Sequence, residues 1–287
     1  MNIIQQHERA RFLLDKAGSP RFESEDIDNA LNGEIESIVR EKYDQTRLQN
    51  RSDAFQRTQR VRDELNPLMR FADKLNGLYL YPSVDQSTVL VLFHDLVLGG
   101  DPDITDYRYL LTMRIEDDAG IFYPVFPLQT NMKTVYKRNP FRRTRNSPIS
   151  KFYYTESALG GQAKWEIYMN LPSGATFEDL LIEYLKDPTT VNYGVEYDSS
   201  KTFANGTKLI AVEQTVYAGT TYVIGERITI ANPNYSITSG LVVANFVETE
   251  LPASLHEEIC RRAASSLLIS VGESEKAKAI LSQIIST

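Results

Sequence analysis

"NGTKLIAVEQTVYAGTTYVIGERITI", residues 205–230, decides the fold class of this chain. Apolar and β-branched residues alternate here with polar ones, a period of two that sends successive side chains to opposite faces of a strand. Asn205-Gly206 and Ala218-Gly219 break the pattern where the backbone must reverse, since glycine enters the left-handed region without steric cost. Short strands joined by tight turns predict antiparallel sheet.

The same signature extends toward the N-terminus. "GLYLYPS" (77–83), "STVLVLF" (87–93), "YLLTMRIE" (109–116), "GIFYPVF" (120–126), "KFYYT" (151–155) and "KWEIYMN" (164–170) are short, rich in β-branched and aromatic residues, and separated by Gly, Pro, Asn or Asp. A helical or turn element interrupts them around 128–138. "TFEDLLIEYLKDP" (176–188) reads two ways: Thr176 can cap a helix, while "LLIEYL" also suits a buried strand.

Both ends of the chain change period. From Ser24, placed to cap a first turn that carries Glu25, Asp26 and Asp28, the apolar residues Ile27, Leu31, Ile35, Ile38, Val39 and Tyr43 recur at helical steps. A second helical stretch has Phe55, Val61, Leu65, Leu68 and Leu75 as apolar members, with Pro67 starting a new segment or kinking this one. The polar run between them reads as a solvated helix face. After Pro252, Leu255, Ile259, Ala263, Leu267 and Val271 recur every four residues; Gly272 marks a stop, and an amphipathic segment runs from Ser274 to Ile285. The expected class is α+β, with N-terminal helices, an antiparallel β-rich middle (sandwich- or barrel-like) and C-terminal helices. The expected regions are helical 1–76, β-rich 77–250 with a hairpin insert at about 194–245, and helical 251–287, forming one integrated domain with appended elements.

The composition suits a folded protein that buries a full core. A formal net charge of -7 argues against general coating of nucleic acid, which draws on an excess of Lys and Arg. The single Cys260 cannot form an internal disulfide and fits a reducing compartment. The first residues mix charges into their apolar positions without the core of a secretory signal, and no apolar run reaches about 18 residues. The expectation is a soluble protein, neither exported by the usual route nor membrane-bound.

Chemistry is thin in the sequence. No G-x-G-x-x-G, G-x-x-x-x-G-K-[ST] or G-x-S-x-G occurs, so the usual phosphate cradles and nucleophile elbow are missing. "LHEEIC" (255–260) resembles half of a zinc-protease helix, with His256 and Cys260 on one face and Glu257 directly after the His, but it lacks a second His and a third ligand. Core-side Cys260 and a polar His256 are the expected roles. Asp101, Asp103 and Asp106 invite a calcium reading, yet an EF-hand loop needs Gly and Glu where Asp106 and Thr112 stand. His94-Asp95 is a lone polar pair in an apolar run. No catalytic residue, metal or cofactor is expected.

One stretch runs against the overall charge. "KRNPFRRTRNSPISK" (137–151) carries six basic residues and no acid, and no Asp or Glu stands between Asp118 and Glu156. Pro140 and Pro148 forbid a continuous recognition helix, and Phe141 alone does not make a stacking platform for single strands. A stiffened loop remains, with Phe141 as an apolar anchor and arginines whose forks pair with carboxylates. Lys137, Arg138, Phe141, Arg142, Arg143 and Arg145 are therefore candidate subunit-docking residues; contact with DNA and a merely solvated loop stay open.

Four stretches carry a resemblance. "RFESEDIDNALNGEIESIVREKYDQTR" (21–47) resembles the N-terminal helix, with its I-D-x-x-L-N signature, of ring and head–tail connector (collar) proteins of short-tailed phages, crAss-like phages especially. "NPFRRTRNSPISKFYYTE" (139–156) is similar to their Asn-Pro-Phe segment, basic residues and return strand. "IEYLKDPTTVNY" (182–193) resembles their strand ending in a basic residue and Pro, and "LPASLHEEICRRAASSLLISVGES" (251–274) their closing helix. The four occur in the family's order; the insert at about 194–245 has no counterpart. The resemblance implies a non-enzymatic virion component, a homo-oligomeric ring between portal and tail through which the genome passes. Its implied partners are further copies of itself, the portal protein and other tail or ring proteins, with transient contact with packaged double-stranded DNA. Assembly would take place in the host cytoplasm. Two other classes stay open at this point: a β-rich module of a tail appendage that recognises a glycan or host surface through its Tyr residues and Trp165, and a hydrolytic tail enzyme using scattered carboxylates with His94 or His256.

Overall fold

The computed structural model describes residues 1–18, 22–48, 62–72, 88–92, 107–127, 150–156, 163–168, 177–198, 201–231 and 237–285. The architecture is α+β, with helices at the start, an antiparallel β-rich middle and helices at the end. Two compact units form: one joins Met1–Leu68 to Pro188–Thr287, and the other is Met69–Asp187.

Helices α1 (Ile3–Lys16) and α2 (Ser24–Leu48) open the chain. Asn2 and Gln5 form a reciprocal cap on α1: the Gln5 N–H donates to Asn2 Oδ1 at 2.9 Å, and the Asn2 N–H to Gln5 Oε1 at 3.1 Å. On α2, Ile27, Leu31, Ile35, Ile38 and Val39 are all buried, as their spacing predicts. Ser24, read from the sequence as the cap, lies inside the helix, and its hydroxyl accepts from Arg11 at 2.8 Å. Leu65 and Leu68 are buried, but the helix that contains residues 62–65 does not run on to 75. Pro67 lacks the N–H a helix needs, and the chain passes through a 3-10 turn, Asn66–Leu68, into a strand. Phe55, Val61, Leu75, "GLYLYPS" and the element expected at 128–138 lie outside the described residues.

Seven strands make the second unit: β1 (Met69–Ala72), β2 (Thr88–Leu92), β3 (Tyr107–Asp117), β4 (Phe122–Pro127), β5 (Ser150–Glu156), β6 (Ala163–Tyr168) and β7 (Phe177–Lys186). They pair in the order β1-β7-β3-β4-β5-β6-β2, antiparallel except for β4 with β5. The ambiguous stretch at 176–188 is thus a strand. Its Ile182, Tyr184 and Leu185 are buried, and Ile182 lies opposite Met113 of β3. Along β3, buried Met113 and Ile115 flank exposed Arg114, the alternation of a sheet with one covered face. A parallel pair needs a long connection, and the stretch joining β4 to β5 is the one with the basic run.

The first unit resumes with β8 (Val195–Tyr197), β9 (Lys208–Ala211), β10 (Thr215–Tyr217), β11 (Thr220–Tyr222), β12 (Arg227–Thr229), β13 (Ile237–Ser239) and β14 (Val242–Ala244). They form two antiparallel sheets, β11-β10-β13 and β12-β9-β14-β8. Residues of both sheets, among them Leu209, Tyr217, Ile228, Ile237 and Val242, share one core, so of the two expected alternatives this part is a small sandwich. None of the sheets closes into a barrel among the described residues. Ala218 (φ 49°) and Gly219 (φ 79°) make the tight β10–β11 turn with both central residues left-handed, as the sequence indicated.

Helices α3 (Ala253–Ser270) and α4 (Ser274–Ile285) complete the unit. Helix α3 ends as predicted at Gly272: the Gly272 N–H donates to Ile269 O at 3.0 Å and the Glu273 N–H to Leu268 O at 2.8 Å. Helix α3 packs against α1, α2 and α4, burying Leu255, Ile259, Ala263 and Leu267, while Val271 is exposed. Helices α1 and α4 thus both pack on α3.

Candidate functional site

The I-D-x-x-L-N stretch turns out to be a clamp. Ile27 and Leu31 are fully buried, and Asp28 and Asn32, one turn apart on a neighbouring face, reach the segment that enters the small sandwich. Asn32 pairs with the Val191 backbone in both directions, donating to Val191 O at 2.9 Å and accepting from its N–H at 2.7 Å. Asp28 accepts from the Tyr193 N–H at 3.1 and 2.9 Å and from His7 Nε2 at 2.8 Å, so one carboxylate ties together α1, α2 and the incoming chain. His7 is fully buried, with its ring 4.6 Å from that of Tyr193. Burial raises the Tyr193 phenol, and its hydrogen bond to Glu196 at 2.8 Å adds to the shift. Gly194 (φ 90°) then lets the backbone pass so close to β14 that a Cβ there would stand 2.3 Å from Ala244 O.

The half zinc-protease motif on α3 is likewise internal. His256 Nε2 donates to Leu251 O at 2.8 Å and Nδ1 accepts from the Met1 nitrogen at 2.9 Å, which requires a neutral ring. Burial pushes the His256 pKa down. Cys260 is buried and donates to Gln6 O at 3.6 Å, and its thiol is pushed up to about 12 by burial, the reverse of a reactive thiolate. Glu257 takes a forked contact from Arg9 (2.5–3.1 Å) and another from Arg261 at 2.8 Å. Burial alone would raise its pKa, but the two guanidiniums outweigh it and hold the carboxylate low. The Glu257 and Cys260 contacts thus join α3 to α1, and His256 bonds to the chain on either side of this contact. No cluster of potential metal ligands occurs among the described residues.

In the strand unit a buried carboxylate shapes the β3–β4 turn. Asp117 Oδ1 accepts from the Ala119 and Ile121 N–H groups at 3.0 and 2.8 Å, and Oδ2 accepts from the Tyr123 hydroxyl at 2.8 Å. The Ile121 bond is the main cause of its lowered pKa. The turn presents Ile121 and Phe122, both about half exposed, at its tip.

Lys137, Arg138, Phe141, Arg142, Arg143 and Arg145 lie outside the described residues, as do His94, Asp95, Asp101, Asp103 and Asp106. Trp165 lies in β6, in register with Val91 of β2 and Tyr154 of β5. Two surface features escaped the sequence reading. The 223–226 turn between β11 and β12 exposes Val223 and Ile224 at 57% and 51%. A groove of about 280 Å³ between α1 and α4 is lined by Leu13, Lys16, Ala17, Lys276, Ala279 and Ile280. Each combines residues whose sequence pattern reads as ordinary strand end or amphipathic helix; only the packing leaves them open. Among the described residues no helix is long and apolar enough to cross a membrane. Compared with known proteins, the chain matches no family model and no curated relative.

Proposed function

We propose that the chain is a non-enzymatic structural subunit of a homo-oligomeric ring in the head-to-tail connector or tail of a short-tailed phage. It would link portal and tail around the DNA passage in the virion, after assembly in the host cytoplasm. The observation that carries this reading is the ordered set of family-like stretches, three of which contribute to one unit. Helix α2 from 21–47 packs on α3 from 251–274, and Asp28 and Asn32 of α2 hold Val191 and Tyr193, which close the 182–193 stretch.

The charge balance fits the role. A net charge of -7 lets duplex DNA slide past without being gripped, so contact with packaged DNA is transient. The basic 137–151 stretch then acts as a clasp on an acidic neighbour, either another copy, the portal protein or an adjoining tail protein. Mass measurement of the purified protein, alone and with its portal, tests the reading: a defined oligomer supports it, and a monomer under both conditions refutes it. Charge reversal at Arg142 and Arg143 should impair assembly; intact assembly with weaker DNA retention would assign the stretch to the bore instead.

A further inference from the structure

We propose that the Val223–Ile224 turn of one copy seats in the α1–α4 groove of the next, as the apolar anchor of a head-to-tail contact. This names surfaces for the ring reading and rests on it. The turn is built rigidly. The Gly225 N–H donates to Ala211 O at 2.8 Å, the Glu226 N–H to Val223 O at 3.0 Å, and the Val223 N–H to the Glu226 carboxylate at 2.9 Å. Asn2 Nδ2, at the N-terminus of α1, donates to Gly225 O at 2.6 Å. Two large aliphatic side chains are thus held out in solvent on a frame with little entropy left to lose on docking.

The groove suits such side chains better than a small molecule. At about 280 Å³ it falls just below the ~300–1,000 Å³ usual for ligand pockets, and Leu13, Ala17, Ala279 and Ile280 give it an aliphatic lining. Charge matches at Lys16: Glu226 stands beside the knob, next to Arg227, and the groove rim carries Lys16 and Lys276, the latter paired with Glu273 at 2.9 Å. Exposed Phe12 lies one turn before Lys16 on α1 and adds an apolar margin.

Placement rules out the copy's own turn as the occupant. The knob is fastened at the N-terminal end of α1 through Asn2, and the groove lies at its C-terminal end. A rise of ~1.5 Å per residue puts Lys16 roughly 16 Å from Gln5 along the axis. A copy cannot fold its own rigid turn into its own groove, but two copies related by a rotation can join knob to groove. Such a contact between unlike surfaces generates rings when the rotation closes. A stable interface needs ~1,200–2,000 Å² in total, so the knob acts as an anchor within a broader contact.

Cross-linking between copies tests this. Differently tagged Ile224→Cys and Ala279→Cys chains are co-expressed and oxidised at pH 8, where buried Cys260 stays unreactive. The expected result is a disulfide-linked pair carrying both tags, absent when either variant is oxidised alone. Ile224→Ser, at an exposed position that leaves the fold intact by circular dichroism, should weaken self-association about tenfold or more. A wild-type oligomer without the mixed cross-link overturns the knob-in-groove contact and leaves the ring reading standing. A wild-type protein that stays monomeric at all concentrations, alone and with the portal, overturns both.

Discussion

Replacing Asp28 with alanine should expose how much of the first unit depends on a single carboxylate. The substitution removes the acceptor for two buried donors, the Tyr193 N–H and His7 Nε2. Tyr193 is 4% exposed and His7 is fully buried, so water does not replace the lost partner without local opening. Leaving a buried donor unpaired costs about 1–3 kcal/mol, which sets the gross loss at about 2–6 kcal/mol for the pair. Alanine's better helix propensity returns up to ~0.7 kcal/mol, while loss of a negative charge in the second turn of α2 removes a few tenths more. The net expectation is about 2–5 kcal/mol, a large share of the ~5–15 kcal/mol typical of a whole domain. Urea denaturation followed by far-UV circular dichroism reads the helical unit, and hydrogen exchange of the Tyr193 amide reads the clamp itself. Asn32→Ala also unpairs two buried groups, the Val191 N–H and carbonyl, and by the same rule should cost about 2–6 kcal/mol, toward the lower end because both bonds are neutral. The double variant should cost less than the sum, because both residues hold the same three-residue segment. A loss below ~0.5 kcal/mol for Asp28→Ala, with Tyr193 exchange unchanged, would refute the clamp.

The α1–α3 contact sets two further expectations. Because burial lowers the folded-state pKa of His256, the folded protein resists a proton that the unfolded chain takes up. Its contribution is fully present above ~6.5 and is lost as pH falls below that value toward the folded pKa, by at most ~1.4 kcal/mol per pH unit. Thermal melts between pH 7 and 5 should therefore fall more steeply for wild type than for His256→Gln; parallel profiles would mean the ring is not held neutral. Cys260 should react with a thiol reagent at pH 8 only after denaturation, and rapid stoichiometric labelling of native protein would contradict its burial.

Periodicity carried most of the fold. The faces of α2 and α3, the Ala218-Gly219 hairpin and the Gly272 stop all rest on local rules, namely side-chain spacing and the φ that a turn requires, and each is where the sequence placed it. Local rules could not supply partnership. "LLIEYL" suits a helix or a strand equally until β3 lies beside it, with Ile182 opposite Met113 and Glu183 accepting from Thr112 at 2.9 Å. Pro67 announces a break but not the strand beyond it. The parallel β4–β5 pair, the grouping of β8–β14 into two sheets over one core, and the groove beside Ile280 depend on contacts between residues far apart in sequence. Asp28 shows the same division: its charge near a helix N-terminus was legible, whereas its grip on Tyr193, 165 residues away, was not.

The internal use of the I-D-x-x-L-N residues changes where assembly should be sought. All four face the core or the 191–193 segment, so their chemistry explains why the unit folds. In the proposed ring, self-association would therefore be read at surfaces that the fold leaves uncovered. Changes at Asp28 or Asn32 lower stability first and disturb an oligomer only by depleting folded subunits, so that both losses rise together with temperature or urea. Among the described residues, Ile224 and Lys16 take no part in the clamp, and in the proposed ring substitution there should lower association at constant stability. Buried donors dictate the first behaviour and exposed aliphatic groups the second, because an unpaired N–H is penalised inside the subunit while an uncovered isoleucine is penalised only until something docks on it.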